Sequence, residues 1–217
     1  MRMRKFSFSL LVSLSTVCLL TGCATDKITL FSGAPSGNGT YSLPDAPAFI
    51  IEPGDAMVIA FYGSDRETVS PFNMRDTNYV VAPDGCVTLP VLGKKRIAGM
   101  QEARAEQELQ TAAANHLRNP MVRVHIRNAR ITVLGEVARP GTFSIDKPVT
   151  LLAALGMAGD MRPNAKRDNV LIQRQENGRI TQYRVNLLTD ELFASPCYYL
   201  QKGDVVYVSP RYKSRRR

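Results

Sequence analysis

The sequence predicts an α+β fold, β-rich overall, made of a small mixed α/β unit followed by a second, mostly β unit. Three observations carry this expectation. Short runs of β-branched and aromatic residues, bounded by Gly, Pro, Asn or Asp, recur from Phe49 to Pro210. Only two stretches, near residues 100–117 and 150–160, have the composition of helices. Between them these elements fill a body of about 160 residues, enough for two small cores.

The first thirty residues read as an address rather than a fold. "MRMRK" is basic, and "FSFSLLVSLSTVCLL" is apolar without a charge. A spanning helix needs about 20 predominantly apolar residues, so this segment is short and diluted for that role. It fits the basic, apolar, small order of a secretory signal peptide. "LTGC", Leu20 to Cys23, closes it and resembles the bacterial lipobox, whose cysteine thiol is alkylated by a diacylglyceryl group before cleavage ahead of it. Thiolate nucleophilicity explains why cysteine serves there. The alternative is a cysteine inside the signal, with cleavage elsewhere. The resemblance implies loss of residues 1–22, a cut between Gly22 and Cys23, and acyl chains on Cys23 that anchor the protein stably. Ala24 stands where many Gram-negative bacteria read Asp as an inner-membrane retention signal, which points to the outer membrane.

The net charge of +9 is unevenly placed. Residues 1–22 hold Arg2, Arg4 and Lys5 and no acid, so the chain without them stands at +6. Arg211, Lys213, Arg215, Arg216 and Arg217 supply five of those charges, leaving +1 for everything else. A nucleic-acid binder carries a basic stripe on its folded body, so no nucleic-acid partner is expected. The tail 211–217 reads as a solvated terminus, with contact to anionic lipid or an acidic glycan as the other reading. Cys86 and Cys197 are the thiols left after Cys18 departs and Cys23 takes lipid. They can pair in an oxidising compartment or stay as small buried hydrophobes.

Residues 23–48 end in "SGAPSGNGTYSLPDAPA", a Gly/Ser/Pro-rich composition that reads as a flexible tether. From Phe49 the pattern changes. "FIIEPGDAMVIAFYG" sets two apolar runs around a turn, and "YVVAPDGCVTLPVLG" puts Pro-Asp-Gly between two β-branched runs, a hairpin signal. "MQEARAEQELQTAAANHL" is rich in helix formers, with Ala105, Leu109, Ala113 and Leu117 on one face. Asn119-Pro120 stops that helix. "MVRVHIR" alternates Val122, Val124 and Ile126 inward, as a half-buried strand does. The second unit begins near Arg130: "ITVLGEV" and "TFSI" are strands around "ARPG". "TLLAALGMAGD" is a short helix with Thr150 as N-cap and Gly159 at its end. "NVLIQRQENGRITQYRVNL" reads as two strands joined at Asn177-Gly178, and "YYLQKGDVVYVSP" supplies the last strand. "IEPGDAMVI" and "LQKGDVVYV" echo each other faintly, each with a Gly-Asp turn launching an apolar strand.

The order of these pieces resembles the outer-membrane polysaccharide export family, the lipoproteins of capsule and exopolysaccharide secretion. "IEPGDAMVIAFYG" is similar to that family's opening motif. "YVVAPDGCVTLPVLGKKRIAGMQEARAEQEL" is similar to its Asp-Gly hairpin, Leu-Pro-x-x-Gly and helix, and "NPMVRVHI" to its closing strand. "VLGEVARPGTFSI", "TLLAALGMAGD" and "LQKGDVVYV" resemble one soluble-ligand-binding β-grasp module. The resemblance implies an export domain at 49–128 and a β-grasp domain at 129–210. It also implies a periplasmic homo-oligomeric ring through which finished polysaccharide leaves, working with an inner-membrane chain-length and polymerisation apparatus. The motif residues read as structural: Gly54, Gly85, Gly135, Gly141 and Gly203 suit turns, and Pro53 and Pro140 stiffen them. Asp55, Asp84 and Asp204 are either functional acids or turn braces. Two departures stand out: one β-grasp module where larger members have more, and no terminal amphipathic helix between the last strand and Arg217. The second implies a wholly periplasmic body and a separate outer-membrane protein that completes the pore. An adaptor lipoprotein that holds glycan without enclosing a conduit is the other reading.

Enzyme chemistry finds little footing. His116 and His125 are the only histidines, and zinc-protease, nucleophile-elbow and phosphate-loop motifs are missing. No catalytic residue, metal or cofactor is expected. Glycoside cleavage needs two carboxylates at a set separation, for which only an accidental pair such as Glu136 and Asp160 offers itself.

Overall fold

The structure, a computed structural model, describes residues 30–31, 40–64, 78–176 and 178–211. Gly22, Cys23, the signal segment and 212–217 of the basic tail lie outside the described residues. The fold class is α+β and β-rich, as the sequence predicts.

The first unit is a three-stranded antiparallel sheet in the order β2 (Asn78–Val80), β1 (Ala56–Tyr62), β5 (Met121–Ile126), with helix α1 (Glu102–Ala113) beside β5. β1 buries Met57, Ile59 and Phe61 completely, and β5 buries Val122, Val124 and Ile126. Burying each such side chain contributes about 1.5–3 kcal/mol, more than the ~1 kcal/mol span of strand propensity. Burial therefore fixes the register, in which Ile59 faces Val124. The helix presents Ala105, Leu109 and Ala113 to the core. It stops at Ala113, a turn earlier than the periodicity implies. Leu117 still reaches the core because its N–H bonds back to Ala113 O at 2.8 Å.

Glu102 and Glu106, one helical turn apart, meet the edge of β5. Their carboxylates accept hydrogen bonds from Ile126 N (2.8 Å) and Val124 N (3.0 Å). N–H groups two residues apart on a strand edge thus match carboxylates four apart on a helix, and the edge is covered.

The Pro-Asp-Gly reversal forms, with Ala82 N bonded to Cys86 O at 2.8 Å, but the expected hairpin around it does not. β2 pairs with β1, while β3 (Cys86–Leu89) pairs with β4 (Gly93–Arg96). Gly85 O explains the divergence: it accepts both Ile97 N and Ala98 N at 3.0 Å, drawing the chain after β4 against the turn.

In the second unit a five-stranded mixed sheet runs β10, β9, β12, β6, β7. Its strands are β6 (Arg130–Gly135), β7 (Gly141–Ser144), β9 (Ala165–Glu176), β10 (Arg179–Val185) and β12 (Val205–Pro210). β12 is parallel to β6 and antiparallel to β9. β9 and β10 form the expected hairpin, with Glu176 facing Arg179; Asn177 itself lies outside the described residues. Helix α2 (Leu151–Met157) packs on β6. Its N-cap Thr150 accepts a bond from Ala153 N at 3.1 Å. Asp160 N to Leu155 O and Gly159 N to Gly156 O, both 2.9 Å, close its C-terminus in a Schellman pattern. β8 (Val149–Thr150) and β11 (Tyr199–Leu200) pair beside it, and a 3₁₀ turn at Asp190–Ala194 precedes β11. The sequence signals neither the small ladder nor the 3₁₀ turn.

Two further expectations change. The buried side chains form one contiguous cluster instead of two cores, with Ala129, 2% exposed, at the joint. The described part of the tether is pinned. Phe31 and Tyr41 both stack on Phe193, with ring centres 5.5 and 4.6 Å away. Phe31 N also donates to Leu187 O at 3.0 Å. Aromatic pairs add about 0.5–1.5 kcal/mol each, which holds Phe31 and Tyr41 against the folded body.

Candidate functional site

The two echoing segments form twin turns, and the twins meet at the joint between the units. In Glu52-Pro53-Gly54-Asp55, Asp55 N bonds to Glu52 O at 3.1 Å. In Gln201-Lys202-Gly203-Asp204, Asp204 N bonds to Gln201 O at 3.2 Å. The third residue of each is a glycine with positive φ, +91° at Gly54 and +83° at Gly203, as a type II turn requires. In each, the aspartate carboxylate turns back to accept the N–H of the first residue: Glu52 N at 2.8 Å, Gln201 N at 2.9 Å. A shared Gly and Asp therefore encode one geometry used twice.

Around the first turn, Asn128 holds both sides, accepting from Ala56 N at 3.0 Å and donating to Gly54 O at 3.1 Å. Lys202, from the second turn, reaches across to Asp55 Oδ2 at 2.5 Å and Glu52 Oε2 at 3.0 Å. The Lys202 and Asp55 side chains are 13% and 11% exposed, so this pair is largely removed from water. Clefts of about 230 and 260 Å³ flank it, the smaller lined by Glu52, Asp55, Asn128, Arg130, Lys202 and Gly203.

Behind the second turn, Asp204 is buried and takes a forked pair of bonds from Arg174: Nε to Oδ1 at 3.0 Å and Nη2 to Oδ2 at 2.8 Å. Arg174 also donates to Tyr199 O at 3.0 Å, and its guanidinium lies 5.9 Å from the Tyr183 ring centre. Burial alone would lower the Arg174 pKa; the Asp204 hydrogen bonds and charge outweigh it and leave the group more strongly basic than usual. Burial pushes the nearby Cys197 thiol up to about 11, despite an opposing pull from Arg174. At neutral pH it is a protonated, unreactive thiol. Cys86 and Cys197 are both free thiols.

Asp84 braces the third turn, accepting from Cys86 N at 3.0 Å and pairing with Lys94. The Lys94 contact, then the Cys86 N–H, hold its carboxyl below the usual range. Gly85 sits against Ala98, where an added Cβ would come within 2.9 Å. Gly135 lies at the end of β6 against Val208. Gly141, expected in a turn after Pro140, is instead the first residue of β7, opposite Val133. Its φ is outside the left-handed region and an added Cβ would meet nothing within 4 Å, so turn geometry does not require glycine there.

The structure thus brings Pro53, Gly54, Asp55, Gly203 and Asp204 together and leaves Asp84 and Gly85 on a separate turn. Lys202 and Arg174 are the partners that sequence reasoning missed. Arg174 had a signal: it continues the inward alternation of Val170 and Ile172, an odd place for a cation without a buried acid. Lys202 had none beyond its place in the echo.

Other polar groups are arranged differently. His125 lies 3.8 Å from Glu102 and 3.7 Å from Asp146. Glu136 and Asp160 adjoin the Val137–Met161 bridge, and Asp160 Oδ1 accepts from Met161 N at 2.6 Å. Among the described residues no cluster of His, Cys, Asp or Glu could hold a metal ion, and no helix is long and apolar enough to cross a membrane.

Comparison with known proteins follows the same division. Residues 43–127 match the polysaccharide biosynthesis/export protein family, and residues 129–208 match the SLBB domain. The chain joins a polysaccharide export domain to an SLBB domain. The EPS I polysaccharide export outer membrane protein EpsA of Ralstonia solanacearum is 33% identical over 141 residues, 63% of this chain and 37% of that protein. Its counterpart in Ralstonia nicotianae is 30% identical over 143 residues, 64% of this chain and 37% of that protein. The chain therefore spans little more than a third of the length of these curated relatives. The twin turns open the export domain and close the SLBB domain, and Lys202 ties the two.

Proposed function

We propose that this protein is an outer-membrane lipoprotein of a polysaccharide export machine, forming part of a periplasmic ring or conduit for the finished polymer. The observation that carries the reading is the export domain followed directly by an SLBB domain, in a chain similar to named export outer-membrane proteins. A non-enzymatic role accords with the carboxylates of the site, which brace turns and hold the domains together. A deletion strain is expected to lose surface polysaccharide while sugar assembly continues, leaving polymer or precursor inside the cell. Normal surface glycan in that strain, with no paralogue substituting, ends this reading.

Lipid at Cys23 completes the proposal. Cys23 and Phe31 are eight positions apart, a reach of at most about 28 Å when fully extended. Because Phe31 is stacked on Phe193 of the SLBB domain, lipid at Cys23 would keep that domain near the membrane. Cys23→Ser is expected to abolish lipid labelling and release exported protein from the membrane fraction. Equal labelling of the variant would refute the anchor.

A further inference from the structure

Resting on that export reading, we propose that the outward face of the five-stranded SLBB sheet is a docking surface for an acidic polysaccharide. The inward face is spent: Ile131, Val133, Val170, Ile172, Val206 and Val208 are fully buried. Alternation turns their neighbours outward, and the registers align those neighbours in two rows. Thr142, Thr132, Val205, Gln173 and Gln182 form one row across all five strands. Leu134, Tyr207, Leu171 and Arg184 form the next across four. Tyr207 and Leu134 are each 40% exposed at the centre of this face.

The chemistry of the rows fits a charged sugar polymer. A tyrosine ring between two leucines offers an apolar platform for the C–H face of a pyranose, and its hydroxyl remains a polar handle. The paired amides of Gln173 and Gln182 both donate and accept, as sugar hydroxyls require. Arg184, an exposed residue at the sheet edge, is held toward Asn169 at 3.1 Å and offers a forked donor to a carboxylate. The two rows contain no carboxylate of their own. Strands spaced about 4.8 Å apart make the five-strand row roughly 19 Å wide, room for several sugar residues in line. A second copy docked by the same face on a two-fold axis would offer Arg184 no carboxylate from either row.

The test titrates the purified full-length chain with polygalacturonate, a linear polyuronate, and with neutral dextran. Salt-sensitive binding of polygalacturonate, weakened about ten-fold by Tyr207→Ala and by Arg184→Gln, supports the proposal. Arg184→Gln, on an exposed edge strand, keeps the test open should Tyr207→Ala disturb the fold. No polyuronate binding, equal binding of dextran, or affinity unchanged in both variants overturns it. So does a dimer that Tyr207→Ala dissolves, because the face then belongs to a second copy. If the doubly substituted chain restores export to a deletion strain, the docking surface falls and the export reading stands.

Discussion

Replacing Asp204 with Asn is expected to lower the unfolding free energy by about 3–5 kcal/mol, because it strands a buried guanidinium. The Arg174 and Asp204 side chains are 6% and 0% exposed, so solvent screening offers little relief. The carboxylate serves three donors at once: Arg174 Nε, Arg174 Nη2 and Gln201 N. Asn leaves one acceptor oxygen for these three donors and sets an amide N–H₂ against the guanidinium, which loosens the hold on Arg174, itself bonded to Tyr199 O. Against a typical total stability of about 5–15 kcal/mol, the loss is a large fraction. In urea the midpoint should fall by about 2 M with little change in slope. The double variant Arg174→Met with Asp204→Leu should recover much of the loss, since a packed apolar pair removes both desolvated charges. A single-variant loss below ~1 kcal/mol would show that water reaches the pair.

The contrast between what the sequence revealed and what it hid is physical. Strand alternation was readable wherever one face is buried: Val122, Val124 and Ile126 fell inward as expected. So was the α2 cap at Thr150, because capping is local chemistry written in consecutive residues. The pairing of β3 with β4 was not readable, since both candidate ladders satisfy the same local pattern and the choice depends on Gly85 O and its distant donors. The site divides the same way. Asp55 and Asp204 stood out as turn acids, and each does bond the residue three before it. Their other partners, Lys202 and Arg174, lie 147 and 30 positions away, beyond any local signal. The stacking of Phe31 and Tyr41 on Phe193 was hidden for the same reason: composition reports average flexibility and says nothing of a distant ring.

Gly135→Ala is expected to be the most damaging glycine substitution of the motif set. Gly135 ends β6 with φ at +89° and faces Val208 in the parallel pair with β12. An added Cβ would lie 2.0 Å from Val208 O and 2.9 Å from Val208 C. Those atoms are backbone, so no side chain can swing away; the two strands must separate. Glu136 N bonds to that same Val208 O at 2.9 Å, and this bond would be lost with the separation. Left-handed strain alone costs about 1–2 kcal/mol, and the clash and lost pairing should raise the total above about 4 kcal/mol. Gly54→Ala supplies the control. Its φ of +91° is nearly the same, yet an added Cβ there meets nothing within 4 Å. It should show the conformational term alone, about 1–2 kcal/mol. The two variants thus compare a glycine with a backbone collision and one without at nearly the same φ. Because β6 and β12 also carry Leu134 and Tyr207, Gly135→Ala should impair surface polysaccharide as well as stability, while Gly54→Ala retains most of both. Equal denaturation midpoints for the two would mean that β12 yields at Val208, and the close approach would then not explain the glycine.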